Sequence, residues 1–317
     1  MTTEGTAQAG QTGRTGHAGH AGHAGDERDP AQADDERDAG RTGVAERVFR
    51  EVMATEAPPA LTPFEAAARD FVFGEVWRRP GLSRRDRRWV TLTCVAAADA
   101  PGPIDAHVYA ALSSGDIEIA EMLEFVLHFA VYCGWPKASH LEGVVGRQWA
   151  RVQRERGVEP TGWPPLDVPS FETGDWNARL EGGRAEFADV NLMPAPPADT
   201  PYRQAGILGF VFGNVWRRPG LTRRERRIIT VACVGIDDSP MPLRTHVDVA
   251  LRSGDLTSAE MDEIVLQFAV YYGFAKGEAL SDAAAAAVTT AAAVTTADAV
   301  TATEAGTAGS PHLEEKR

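Results

Sequence analysis

Apolar residues recur along most of the chain at the three- and four-residue spacing of amphipathic helices, and no six-residue stretch alternates strictly enough to predict a strand. The first helix is predicted in PFEAAARDFVFGEVW, which opens on Pro63 and ends before Pro80. Further helices are predicted in DRRWVTLTCVAAA, IDAHVYAALSSG, SGDIEIAEMLEFVLHFAVYCG and PKASHLEGVVGRQWARVQRE. The pattern therefore predicts an all-α fold.

This helical pattern occurs twice. Residues 71–140 overlay residues 210–279 without a gap, and more than half of the positions are identical. Upstream, GVAERVFREVMATEAPPA matches GGRAEFADVNLMPAPPA with a one-residue slip. A repeat of this length is a whole domain. We therefore predict two tandem homologous helical domains, at residues 43–150 and 182–287.

Composition sets the remaining boundaries. Residues 1–42 are rich in Gly, Ala, His and Asp and lack the apolar residues that would offset the entropy of ordering, which predicts a disordered tail. Residues 151–181 form a linker whose tryptophans predict that it docks on a domain. Residues 288–317 are predicted to be a low-complexity tail.

Two of the predicted helices in each repeat, the one around His107 and the one that follows it, are apolar around most of their circumference. A unit of about 100 residues has little core in which to bury such helices. We therefore expect the two repeats to pack face to face, and expect further self-association through the same symmetry.

Charge and apolar content limit the partners. The net charge of −13 argues against nucleic acid as the main partner. The basic runs WRRPGLSRRDRR and WRRPGLTRRERR are interpreted as helix starts or subunit contacts, with an anion-attracting site mouth as the alternative. Without an eighteen-residue apolar run or a signal pattern, we expect no membrane contact and a cytoplasmic location.

The three cysteines, Cys94, Cys133 and Cys233, form no CxxC pair. They are expected to be reduced, and Cys94 and Cys233 to act as small buried hydrophobes. Histidine and carboxylate residues show no metal-ligand spacing, so no metal site is predicted.

Equivalent histidines, His107 and His246, stand on the inner faces of equivalent helices. Each could be a core residue or a proton carrier. Glu124, His128 and Tyr132 follow at four-residue steps, so Glu124 and Tyr132 could orient the imidazole for acid–base chemistry. In the second repeat this ladder reads Glu263, Gln267 and Tyr271, without an imidazole.

Two further carboxylates, Asp86 and Glu225, are candidate catalytic groups. They also fit a second role, because Ser83 and Thr222 precede them by three residues in the pattern of a helix N-terminal cap.

The run GEVWRRPGLSRRDRRWVTLTCVAA, the helix histidine and SGDIEIAEMLEFVLHFAVYCGWPKA together resemble the carboxymuconolactone decarboxylase family, within the alkylhydroperoxidase-D-like superfamily. The resemblance covers both repeats and neither tail. It implies an all-α fold assembled as rings of six, so that a two-repeat chain would form a trimer with pseudo-sixfold symmetry.

The resemblance also implies a carboxy-lyase that removes CO2 from a small carboxylated lactone or a related enolisable acid without a cofactor. His107 would be the proton donor, with Glu75 or Asp86 tuning it, and Arg78 or Arg79 would hold a carboxylate. His128, His246 and Glu225 are further catalytic candidates, and Tyr132 and Arg244 are further substrate-binding candidates.

The chain departs from the family where typical members carry arginines two residues before and after the helix histidine. These positions are Asp105 and Tyr109 in the first repeat and Arg244 and Asp248 in the second. The departure leaves the substrate open. Two alternative functions are a peroxiredoxin-like activity, which the missing CxxC disfavours, and a non-catalytic binding or assembly protein.

Overall fold

The computed structural model describes residues 30–164, 175–237 and 239–307, with side chains described from residue 40 to residue 290 within those ranges. The described residues form helices joined by short turns, and no strand occurs among them. The all-α prediction is confirmed. No helix within this part of the chain is both long and apolar enough to cross a lipid bilayer.

The long helices follow the same order in both repeats, and the segment between the first and second long helix differs. The first repeat consists of α1 (Pro30–Met53), α2 (Pro63–Ala67), a π-helix (Ala68–Val76), α3 (Arg84–Ala97), α4 (Pro101–Ser114), α5 (Ile119–Cys133) and α6 (Trp135–Glu155). The second consists of α7 (Trp176–Asn191), a π-helix (Tyr202–Phe212), a 3-10 turn (Val215–Arg217), α8 (Arg223–Ile236), α9 (Pro240–Arg252), α10 (Ser258–Tyr272) and α11 (Phe274–Thr307).

Helices cross all four predicted boundaries of the two domains: α1 begins before residue 43, α6 continues beyond residue 150, α7 begins before residue 182 and α11 continues beyond residue 287. Of the predicted tails, residues 1–29 and 308–317 lie outside the described residues, as do residues 165–174 of the predicted linker. At its described edge the linker places Trp163 against Gly146 of α6.

The predicted caps start the helices that cross the repeat interface. The Ser83 hydroxyl accepts a hydrogen bond from the Asp86 amide at 3.0 Å and begins α3. At α8 the Thr222 hydroxyl accepts from the Glu225 amide at 3.2 Å, and the Glu225 carboxylate accepts from the Thr222 amide at 2.8 Å. These bonds satisfy amides that a helix start leaves without partners.

The two repeats share one hydrophobic core. Trp89 and Phe125 of the first repeat belong to the same buried cluster as Ile228 and Phe268 of the second. Helices α3 and α8 pack on each other, α5 packs on α8, and α10 packs on α3. Helix α5 is therefore covered on one side by α6 of its own repeat and on another by α8 of the second repeat, whereas α4 packs on α3 and α6 of its own repeat.

The WRRPGL motif fastens one repeat to the other. Arg79 donates to the Glu263 carboxylate at 2.7 Å, and the fully buried Arg87 donates to the same carboxylate at 2.7 Å. A Cβ atom at Gly81 would lie 2.8 Å from Cγ of Glu263, so glycine leaves room for this approach.

In the second copy of the motif, arginines of the second repeat pair with a glutamate of the first. Arg218 donates to Glu124 of α5 at 2.6 Å, and Arg226 lies 3.7 Å from that carboxylate. Gly220 has a φ of 94° and lies against the Glu124 side chain. Each copy of the motif therefore binds a buried glutamate of the other repeat, Glu263 or Glu124, which explains why the motif occurs twice.

Candidate active site

A cavity of about 690 Å³ lies where the α4 histidine of the first repeat meets α10 of the second. Of the described residues that line it, only His107 and Tyr271 have polar side-chain atoms. The rest of the wall is apolar and includes Phe49, Met53, Phe71, Val72, Ala106 and Phe274. A concave apolar space with few convergent polar groups is typical of a small-molecule site.

His107 lies in a cluster of three rings. The Trp77 ring is parallel to the imidazole with 6.4 Å between centroids, and the Tyr271 ring meets the imidazole edge-on at 5.2 Å. The Trp77 indole N–H donates to the Tyr271 hydroxyl at 2.8 Å. Because Tyr271 comes from the second repeat, the site is complete only when both repeats are present.

The imidazole of His107 is held neutral in the empty site. Burial, together with the positive charge of Arg88, lowers the pKa of His107 to about 3. Arg88 lies over the Trp77 ring, 6.0 Å from its centroid, and donates to Asp116 at 2.6 Å. Burial also raises the pKa of Tyr271, so its hydroxyl stays protonated.

The second repeat contains a related ring cluster. His246 meets Tyr132 of α5 edge-on at 5.8 Å, and the Trp216 indole donates to the Tyr132 hydroxyl at 3.0 Å. Burial and the charge of Arg227 lower the pKa of His246 to about 3. Tyr132 therefore accompanies His246 and not His107.

His128 lies inside the interface between the repeats, and its side chain has no exposed surface. Its Nε2 atom is 2.9 Å from the Thr230 hydroxyl, and its Nδ1 atom is 3.3 Å from Arg226. Gln267 makes the equivalent contacts to Thr91 and Arg87 in the other half. The His128 imidazole and the Gln267 amide thus make equivalent contacts across the interface. Both side chains link one repeat to the other.

The carboxylates of Asp86 and Glu225 are held in ion pairs between the repeats. Asp86 accepts from Arg224 at 3.1 Å, and Glu225 accepts from Arg85 at 2.7 Å. Neither lines the His107 cavity.

The remaining predicted residues lie apart from that cavity. Glu75 is exposed and 3.7 Å from Arg41, and Arg78 donates to the Gly74 carbonyl at 3.3 Å. Arg79 is occupied by Glu263, and Arg244 is exposed. The structure thus brings none of these four to His107.

Trp77 and Tyr271, the ring partners of His107, were not among the site residues predicted from the sequence. Tyr271 is the repeat equivalent of Tyr132, so the duplication carried a signal for it. What the sequence did not show is which tyrosine meets which histidine. No group of three His, Cys, Asp or Glu side chains in the described residues is arranged to hold a metal ion.

Comparison with known proteins identifies decarboxylases among the relatives of this chain. The chain is 34% identical over 98 residues to a nitrosuccinic acid decarboxylase of Metarhizium robertsii, which covers 28% of this chain and 68% of that protein. It is 35% identical over 69 residues to a 4-carboxymuconolactone decarboxylase of Acinetobacter baylyi, covering 22% of this chain and 51% of that protein. The model of the carboxymuconolactone decarboxylase family matches residues 62–145 and 201–305, one region in each repeat. The chain therefore belongs to the carboxymuconolactone decarboxylase family.

Proposed function

We propose that this protein is a decarboxylase that needs no cofactor and acts at the His107 cavity. The observation that carries the proposal is a buried imidazole, neutral when the site is empty, opening with Tyr271 onto an apolar cavity. The decarboxylase names of two relatives support the reaction class.

The proposed reaction begins when a substrate carboxylate enters with one proton. The imidazole takes that proton, because an adjacent carboxylate in an apolar space favours the charged ring. The bond between the carboxylate carbon and its neighbour then breaks, and CO2 leaves. The electron pair moves into an electron-withdrawing group on the substrate, such as a lactone carbonyl.

The cycle closes when the imidazolium gives its proton to the carbon that lost CO2. His107 returns to the neutral form that burial favours, and the Tyr271 hydroxyl donates a hydrogen bond to the developing enolate in this proposal. The net reaction replaces a carboxylate by a hydrogen atom and consumes one proton.

The direct test incubates the full chain with a panel of carboxylated lactones and β-keto acids and measures CO2. We expect release from at least one member, and expect alkylation of the thiols to leave the rate unchanged, because no cysteine lines the cavity. Silence across the panel would contradict decarboxylation, and loss of CO2 release on alkylation would contradict a reaction that uses no thiol.

The pH dependence of kcat/KM tests whether the substrate brings the proton that His107 takes up. The free enzyme is neutral at His107 and a carboxylic acid is ionised above pH ~4, so the productive complex needs one proton from solution. We therefore expect kcat/KM to fall about tenfold per pH unit between pH 5 and 8, while kcat changes less. A value of kcat/KM that stays flat or rises over this range would mean that the proton does not enter the site with the substrate.

Self-association remains part of the proposal. A trimer of two-repeat chains follows from the rings of six implied by the family resemblance, and analytical ultracentrifugation of the full chain would measure its mass.

A further inference from the structure

The wall of the His107 cavity is unusual for a site that takes a small acid, because none of the described residues lining it is an arginine or a lysine. Three phenylalanines line it with exposed rings, namely Phe64 at 81%, Phe71 at 37% and Phe274 at 63% exposure. Isolated exposed apolar side chains are ordinary, but three around one cavity form a surface suited to an apolar ligand.

The positions that flank His107 on α4 do not supply a cation either. Asp105 accepts from Gln148 at 2.6 Å, and the Tyr109 hydroxyl donates to Glu155 at 2.8 Å. Neither residue lines the cavity, and both are held by α6. The nearby cation Arg88 lies over the Trp77 ring, does not line the cavity and is paired with Asp116.

A ligand with one carboxylate can place that charge against His107 and Tyr271. A second carboxylate would meet phenylalanine, methionine and alanine side chains, and a charge removed from water without a partner costs several kcal/mol. Nitrosuccinic acid, the substrate in one relative's name, has two carboxylates and a small body, so it does not match this wall.

We propose that the His107 site takes a monocarboxylic acid with a bulky apolar body, whose carboxylate lies at His107 and Tyr271 and whose body lies along the phenylalanines. This inference rests on the proposed function for its location and narrows the substrate class. It excludes small dicarboxylic acids as good ligands of this site.

The test is a calorimetric titration of the full chain with unreactive probes. 3-Phenylpropanoate carries one carboxylate and an apolar body, phenylsuccinate adds a second carboxylate to the same body, and succinate has two carboxylates without the ring. We expect 3-phenylpropanoate to bind at least about tenfold more tightly than either dicarboxylate. The His107→Gln variant should lose this binding, whereas His140→Gln, which changes a histidine on α6 outside the cavity, should retain it.

A second variant tests whether the lack of a cation in the wall is what disfavours a second carboxylate. It compares the affinities of two probes, so it does not depend on their absolute values. Phe64→Arg places a cation at an exposed lining position without disturbing the core. It should raise the affinity for phenylsuccinate relative to that for 3-phenylpropanoate by about threefold. Tyr202→Arg is the matched control, since it puts the same charge at the equivalent exposed position of the second repeat and should leave that ratio unchanged.

The outcomes separate this inference from the proposed function. Equal or tighter binding of phenylsuccinate to the unmodified chain, or no binding of any probe, would overturn the monocarboxylate class even if CO2 release from other acids is observed. The expected order of affinities without turnover of any reactive acid would support the class and contradict decarboxylation.

Discussion

Replacing His107 with glutamine is expected to lower kcat about 10²- to 10⁴-fold, the usual contribution of a group that transfers a proton in the rate-limiting step. Glutamine keeps a hydrogen-bonding side chain of similar length but cannot carry the proton. Because the imidazole is neutral in the empty site, the substitution removes no charge from the folded protein near neutral pH. The thermal midpoint should therefore change little while turnover is lost.

The second repeat provides the discriminating comparison. His246→Gln makes the same change in the other ring cluster, and it should reduce kcat less than His107→Gln if the first repeat performs the chemistry. A loss confined to His246→Gln would move the activity to the second repeat and contradict the assignment to His107. Tyr271→Phe removes only a hydroxyl and is expected to have a smaller effect than His107→Gln, although it alters the other repeat.

Replacing Glu263 with alanine is expected to destabilise the protein by about 3–5 kcal/mol, because it leaves the fully buried Arg87 guanidinium without its carboxylate. That is a large fraction of the stability of a typical protein. Since Tyr271 lies two helical turns further along α10, the variant should also weaken the His107 site. Urea denaturation followed by circular dichroism would measure the loss.

Two controls assign the loss to the buried charge. Arg79→Ala removes the half-exposed partner of Glu263 but leaves the buried pair with Arg87 in place, so its effect should be clearly smaller. Glu159→Gln changes an exposed glutamate and should leave the denaturation midpoint unchanged. If Glu263→Ala unfolds at the same urea concentration as Glu159→Gln, the ion pairs do not hold the repeats together.

The sequence by itself determined the helical fold, the duplication and the helix starts at Ser83 and Thr222. These features depend on local hydrophobic periodicity, on capping residues and on the identity between the two repeats, all of which can be observed in the linear sequence. It also singled out His107 as an inward-facing histidine, because neighbours three and four residues away fix a helix face.

Only the tertiary structure decided which groups surround that histidine. His128 and Gln267 occupy equivalent buried positions and bind threonine and arginine of the other repeat, a role that four-residue spacing could not distinguish from acid–base chemistry. Arg79, Asp86 and Glu225 are paired with residues far away in the sequence. Tyr271 reaches His107 because the repeats pack face to face, and contacts across that packing are set by three-dimensional geometry that no local pattern encodes.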